Sequence, residues 1–390
     1  ERSPQRRRMS KALDAAALRL QFPILNREVN GKPLVYLDHA ASTPMRPAAV
    51  EAMTPFLTDC FANPSGSHRF ARTARRAVDE AREQVADVLG VLPGEVVFTG
   101  CGTESDNQAV TGSVAGRPGV AVTSAAEHHA VLDPVVASGG VVVGVDATGH
   151  IDLVMAVNNE VGTVTDLEAV AAVVRREAPG AWLHTDAVQA ACWLDLRTVT
   201  PLVDMVSLSA HKFGGPKGVG VLVVRGSASP APIIRGGGQE RERRSGTSNV
   251  AGIVATAAAL GETDAERATE VERVGALRSR LVETVVAEVD ARETVPAAVS
   301  VPGVAHLCFE GVENEALLFL LDTEGVCASA ASACASGAME PSHVLAAMGV
   351  SRELAGGALR LSFGHTSTVD EIDAASAAVV SSVRRLRGES

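Results

Sequence analysis

Aromatic side chains are scarce in this 390-residue chain: Phe, Tyr and Trp together make up 3% of it. Hydrophobic residues still reach 46%, so the core has to be built mainly from Ala, Val and Leu. Positive charge is also short. The 35 Lys and Arg are outnumbered by 46 Asp and Glu, and the net charge of −11 argues against nucleic-acid binding as the main function. No run of about 18 apolar residues occurs, which excludes an expected membrane-spanning helix, and no signal peptide precedes the fold. Cysteine is sparse. The six cysteines (60, 101, 192, 308, 327 and 334) form no CxxC pair and no zinc-ligand spacing. That pattern implies free thiols in a reducing cytoplasm and no metal site. Residues 1–8 read as an expression scar or a disordered leader, with Met9 as the native start. A basic nucleic-acid arm is the alternative, and the run is very short for one.

What is present is periodicity. Over 67–90, Phe70, Ala74, Val78, Ala81, Val85 and Leu89 recur at steps of three and four, which predicts a long amphipathic helix. Short apolar runs follow at 96–98, 120–122, 141–143, 154–157, 182–184, 205–208 and 219–224, separated by helical stretches. Buried strands alternating with helices predict an α/β fold with a mainly parallel seven-stranded sheet flanked by helices. From about 266 the pattern changes to helix 266–290, strand 304–309, helix 313–321, strand 359–363 and helix 369–387, a smaller α+β C-terminal domain. The expected division is an N-terminal segment, 1–29, packing on the small domain, a large domain over 30–265 and the small domain over 266–390.

Chemistry is expected beyond the carboxyl ends of the strands. Lys212 follows an apolar run and precedes a Gly-Pro turn, so it reads either as a desolvated amine suited to Schiff-base chemistry or as a surface lysine. Thr99 to Asn107 follows a strand and opens a helix. Its glycines and Thr103 suit a phosphate, and a plain N-cap by Thr103 explains the run as well. Asp186 ends a strand with Gln189 three residues on. A carboxylate there either holds a pyridine nitrogen protonated or caps a helix. His128 and His129 follow another strand, as ring-stacking proton carriers or as capping residues. Asn158 and Asn159 offer amides to a ring oxygen or a carboxylate, or serve only a turn. Residues 328–338 are all Ala, Ser or Gly except Cys334, which is either an accessible thiol on a loop or a buried one in an Ala-rich helix. Arg360 stands among apolar strand residues, ready for a substrate carboxylate or an internal salt bridge.

An amine for an aldehyde, a phosphate cup, an acid for a ring nitrogen and a fork for a carboxylate together describe pyridoxal phosphate chemistry on an amino acid. The chain resembles the class V aminotransferase family and, within it, the cysteine desulfurases. The matching stretches include Tyr36 to Pro44, Asn63 to Arg69, Thr103 to Asn107, Glu127-His128, Asn158 to Gly162, Asp186 to Gln189, Ser209 to Lys212, Arg244 to Thr247, Ser332 to Cys334 and Glu340 to Ser342. The resemblance implies a fold type I enzyme in which Lys212 carries pyridoxal 5'-phosphate and His128 stacks on the ring. It implies that Asp186 binds the ring nitrogen and Gln189 the ring oxygen, while Gly102, Thr103, Ser209 and His211 hold the phosphate. Thr247 would reach the phosphate of a neighbouring subunit, which implies a homodimer. Asn159 and Arg360 would bind the carboxylate of L-cysteine. Cys334 would attack the substrate sulfur, leaving a persulfide for an acceptor protein and releasing L-alanine. The acceptor pathways implied are iron–sulfur cluster assembly, RNA thiolation or DNA sulfur modification. The alternatives are a selenocysteine lyase, another class V lyase or aminotransferase, or a non-catalytic scaffold for sulfur transfer.

Three features depart from the resemblance. After Leu153 roughly 15–20 residues are missing, where a parallel crossover needs about a dozen or more. The chain resembles the desulfurase group with the shorter N-terminus and longer cysteine loop, but its start, Gln21 to Gly31, resembles the other group. Cys327 lies seven residues before Cys334, and is expected to be buried rather than redox-active.

Overall fold

The computed structural model describes residues 14–115, 119–145, 155–331 and 342–389. The shortened crossover around Leu153 and the Cys334 loop lie outside them. Along the described chain run β1 (Val35–Tyr36), α1 (Pro47–Met53), α2 (Arg69–Leu89), β2 (Val96–Thr99), α3 (Gly102–Val114), β3 (Val122–Ser124), α4 (His129–Ala137), β4 (Val141–Val143) and α5 (Leu167–Glu177). They are followed by β5 (His184–Asp186), β6 (Met205–Ser209), β7 (Gly220–Val224), α6 (Val250–Glu288), β8 (Arg292–Glu293) and β9 (Val304–Cys308). The last are α7 (Asn314–Thr323), β10 (Val326–Cys327), β11 (Ala358–Ser362) and α8 (Val369–Arg387).

The α/β architecture is as expected, with a difference in pairing. A four-stranded sheet has the order β2-β7-β6-β5, and β3 and β4 pair separately and in parallel. Strands β5 and β6 are parallel, but β7 is antiparallel to both β6 and β2. The cause is the connection. Only residues 210–219 join β6 to β7, too few for a crossover helix. The run expected as a strand at 154–157 forms no ladder strand in its described part. Ala156 N donates to Asp186 O at 2.8 Å, Thr165 N donates to Ala156 O at 3.1 Å, and side chains add Met155 N to Glu127 Oε1 (2.9 Å) and Asn158 Nδ2 to Ala126 O (3.1 Å).

Local sequence explains the helices around this sheet. In α2 the residues Ala71, Ala74, Val78, Ala81, Val85 and Leu89 are buried on one stripe, and Gly90 ends the helix at φ 66°. Helix α8 starts with a Thr368–Glu371 capping box and stops at Gly388. Helix α6 begins at residue 250 rather than 266, because the Ala-rich stretch before it continues the same helix.

Two cores result. One gathers α2, the four-stranded sheet and the first part of α6, with Val85, Leu89, Val206, Leu208 and Leu260 fully buried. The other gathers the antiparallel β8-β9-β11 sheet, α7, α8 and the second part of α6 around Leu281, Leu307, Leu361 and Val379. Val35 and Leu37 belong to this second core, and β1 pairs in parallel with β10. Trp193 packs against both cores. It needs Gly303, where an added Cβ would lie 2.0 Å from the indole ring.

Candidate active site

A cavity of about 240 Å³ opens beyond the carboxyl ends of β2, β5 and β6. Its lining includes Gly102, Thr103, His128, Asn159, Asp186, Gln189, Ser209, His211, Lys212 and Arg360. Ten residues singled out from separate stretches of sequence therefore meet around one space. Thr247 does not line it. It borders a separate groove with Phe98, Gly100 and Arg244. Cys334 lies outside the described residues.

Strand β6 ends in a single 3₁₀ turn, Ala210 to Lys212, that turns the lysine into the cavity. Lys212 Nζ donates to the carbonyls of Ala40 (2.6 Å) and Ala41 (3.1 Å). Burial, helped by the nearby Arg360 charge, lowers its pKa to about 8, so a neutral amine is accessible close to neutrality. Asp186 ends β5 with its Oδ1 accepting from Val188 N at 2.8 Å. It makes a turn at the strand end rather than capping a helix. Burial raises its pKa to about 6, while the Val188 bond and Lys212 oppose the rise. Gln189 Nε2 donates to Ala40 O at 2.9 Å.

The helix starts sort the plain readings from the chemical ones. The N-cap of α3 is Cys101, not Thr103: its Sγ accepts from Glu104 N at 3.4 Å, which leaves the Thr103 hydroxyl toward the cavity. His128 does both jobs. It caps α4, its Nδ1 accepting from Ala130 N at 3.0 Å, and it lines the cavity. The accepting Nδ1 places the proton of the neutral ring on Nε2. Burial and then the Lys212 charge lower its pKa. Asn158 takes the turn chemistry, its Oδ1 accepting from Glu160 N and Val161 N, and Asn159 is left to the cavity.

Arg360 on β11 forms the internal ion pair and still faces the site. Its Nη2 bonds Asp38 Oδ1 at 2.8 Å and its Nη1 donates to Asn159 O at 2.8 Å, while its buried Nε has no partner among the described residues. Sequence reasoning missed Asp38, although it stands inside the Tyr36 to Pro44 motif. It also gave no role to Asp106 and Glu127, although they stand inside the Thr103 to Asn107 and Glu127-His128 stretches.

Residues 35–375 match the aminotransferase class-V family. The chain is 43% identical to the IscS-like cysteine desulfurase of Mycobacterium tuberculosis (strain ATCC 25618 / H37Rv), over 91% of this chain and 97% of that relative. Among solved structures, a NifS-like protein superposes with a TM-score of 0.82 at 34% identity, covering 89% of this chain and 98% of the other. SspA, solved in complex with cysteine, superposes with a TM-score of 0.73 at 32% identity, covering 86% and 100%. The chain belongs to the class-V aminotransferase family and, within it, to the cysteine desulfurases, pyridoxal-phosphate enzymes of fold type I.

The residues present fit that cofactor. Gly102 opens α3 where an added Cβ would lie 2.8 Å from Val188 Cγ2 and 3.1 Å from Ser209 Cβ, so the cup tolerates no side chain there. Two buried polar atoms of the cavity lining, Asp106 Oδ1 and Arg360 Nε, lack hydrogen-bond partners among the described residues. A ligand with polar groups is what such a lining accommodates.

Proposed function

We propose that this cavity is the active site of a cysteine desulfurase that moves the sulfur of L-cysteine onto Cys334 as a persulfide and releases L-alanine. The supporting observation is the burial of Lys212 beside Asp186, with the Arg360 guanidinium reaching into the same space. Pyridoxal 5'-phosphate, when bound, supplies an electron sink conjugated to the substrate. Gly102, Thr103, Ser209 and His211 would hold its phosphate, with Asp186 at the ring nitrogen, Gln189 at the ring oxygen and His128 over the ring. Lys212 would hold the cofactor's aldehyde through its amine, which gives up and takes back a proton near neutral pH. His128 moves a proton at Nε2, the nitrogen that its capping bond leaves available. Arg360 Nε and the Asn159 amide orient the substrate carboxylate. The role of Cys334 rests on the resemblance and on its place in a run of small residues.

The wider assignment follows from the same reading. We infer a large domain, 30–265, and a small one, 266–390, that share α6; the Arg19–Glu371 ion pair supports residues 14–29 on the small one, and Val35 and Leu37 of the large range also pack into the small domain's core. The enzyme acts as a homodimer. Thr247 stands off its own cavity, and Leu57, Phe61 and Phe70 are 61%, 80% and 66% exposed, apolar surface suited to a second subunit. Five free cysteines among the described residues suit a reducing cytoplasm. The persulfide then passes to an acceptor protein of iron–sulfur assembly, RNA thiolation or DNA sulfur modification.

The test is alanine and sulfide release from L-cysteine with a reductant, comparing the intact protein with Cys334→Ser. The intact enzyme makes both products. The variant keeps the visible absorption band of the bound cofactor and loses them. Normal turnover by the variant would place the enzyme among the other lyases or aminotransferases of the family.

A further inference from the structure

Asp106 stands in the second turn of α3, 1% exposed, and borders the cavity together with Asp186. Its Oδ1 has no hydrogen-bond partner among the described residues and lies 3.5 Å from His184 Nε2, which is 2.8 Å from Ser207 Oγ. A third acid, Glu127, is fully buried nearby, with Oε1 accepting from Met155 N and Oε2 unpartnered. Carboxyl groups gathered in a dry wall cannot all be ionised, and the best-solvated and best-paired one takes the charge. Asp186 has the Val188 N–H bond and faces the Lys212 amine. Asp106 has neither. Burial drives its pKa well above the carboxylate range, Asp186, Glu127 and Cys101 add to the rise, and a hydrogen bond with the Ser207 hydroxyl opposes it. His184 offers it no cation, since burial lowers that ring's pKa to about 3.

We propose that Asp106 is a positioning residue for the cofactor ring: it stays a neutral carboxyl beside the His184–Ser207 pair and leaves Asp186 as the anion under the ring nitrogen. This rests on the reading of Asp186 given above. It adds an acid whose task is to remain uncharged, so that one negative charge faces the ring rather than a charge shared between two carboxyls.

The experiment compares the intact apo-protein with Asp106→Asn and Asp186→Asn, by urea unfolding between pH 5.5 and 8.5 and by the affinity for pyridoxal 5'-phosphate. A carboxyl whose folded pKa is raised loses stabilisation as pH climbs from its unfolded pKa through its folded one. The folding constant of Asp106→Asn should therefore gain on that of the intact protein by up to about tenfold per pH unit. Its cofactor affinity should stay within about threefold, while Asp186→Asn loses about tenfold or more. A pH-independent gap between Asp106→Asn and the intact protein would mean that Asp106 is ionised in the fold, and would overturn the proposal. Loss of affinity in both variants would also overturn it, by making Asp106 a second anion at the ring. Loss in Asp106→Asn alone would instead sink the Asp186 assignment and give its role to Asp106. If Asp106→Asn does not fold, Ser207→Ala is read in its place. Removing a hydroxyl that favours the ionised acid should move the alkaline fall in stability to higher pH, and an unmoved fall counts against the proposal.

Discussion

The floor of the cavity and the rim of the separate groove that Thr247 borders use charge in opposite ways. On the floor, Lys212, Asp186 and His128 sit at strand ends or a helix start, and for each of them burial is the largest cause of the pKa shift. Their charges are under-compensated, which keeps proton transfer cheap near neutral pH. On the rim, Glu240, Arg241 and Glu242 follow one another in the left-handed region, at φ 49°, 58° and 67°. Side chains with a Cβ resist that conformation by about 1–2 kcal/mol each. Here Glu240 and Arg244 are both paired. Arg82 grips Glu240 through two bonds of 2.7 and 2.8 Å, Phe98 N donates to the same carboxylate at 3.0 Å, and Arg244 pairs with Glu104 at 2.8 Å. Catalytic groups need charges with an unmet partner. A strained loop that carries Thr247 needs charges already met.

The largest effect that sharpens this contrast is on the floor. Lys212→Ala should lower alanine release from L-cysteine by about 10³-fold or more, the scale of losing a catalytic base or nucleophile. An enzyme that keeps a tenth of its rate would show that the amine is dispensable. Next, Arg360→Lys should raise KM for L-cysteine by about 10–100-fold, because an ammonium cannot hold Asp38, the Asn159 carbonyl and a carboxylate at once. An unchanged KM with a reduced kcat would move Arg360 from the substrate to the fold.

The pH response follows from Lys212. Its pKa is lowered from 10.5 to about 8, so the neutral, reactive amine grows as pH rises through 8. The rate at which apo-protein captures pyridoxal 5'-phosphate should increase about tenfold between pH 7 and 9, then level off. The same shift means that the charged amine burdens the fold at neutral pH, so Lys212→Met should stabilise the apo-protein, with the gap closing as pH climbs from 8 toward 10.5. The smallest effect belongs to the rim. Glu240→Gln should cost about 1–3 kcal/mol in urea unfolding, by weakening a charged double bond to Arg82, and should leave the pH profile of cofactor capture in place. A shifted profile would erase the distinction between floor and rim.

Much of this arrangement was legible in the residues. Helix α2 announced itself by its apolar stripe, and Lys212, Asp186, His128 and Arg360 by their positions at or within apolar runs. What was not legible depended on partners distant in the chain. Arg360 pairs with Asp38 across 322 positions, so the ion pair is there while the residue still lines the cavity. For His128 the capping reading holds and leaves the chemical one open, since Nδ1 takes the cap and Nε2 is a separate group on a ring that lines the cavity. Thr103 was a fair N-cap by residue type, but Cys101 holds the extended backbone that a cap requires, and the hydroxyl is left for chemistry.

The sequence by itself determined which segments are helices, where strands end and which side chains stand at those ends, because these depend on periodicity and on neighbours a few residues away. Only the tertiary structure decided the direction of β7, the continuity of α6 through both cores and the burial that raises Asp186, Glu127 and Asp106. Desolvation acts from every side of a group at once, and the groups that surround each of these three acids come from elements far apart in the chain.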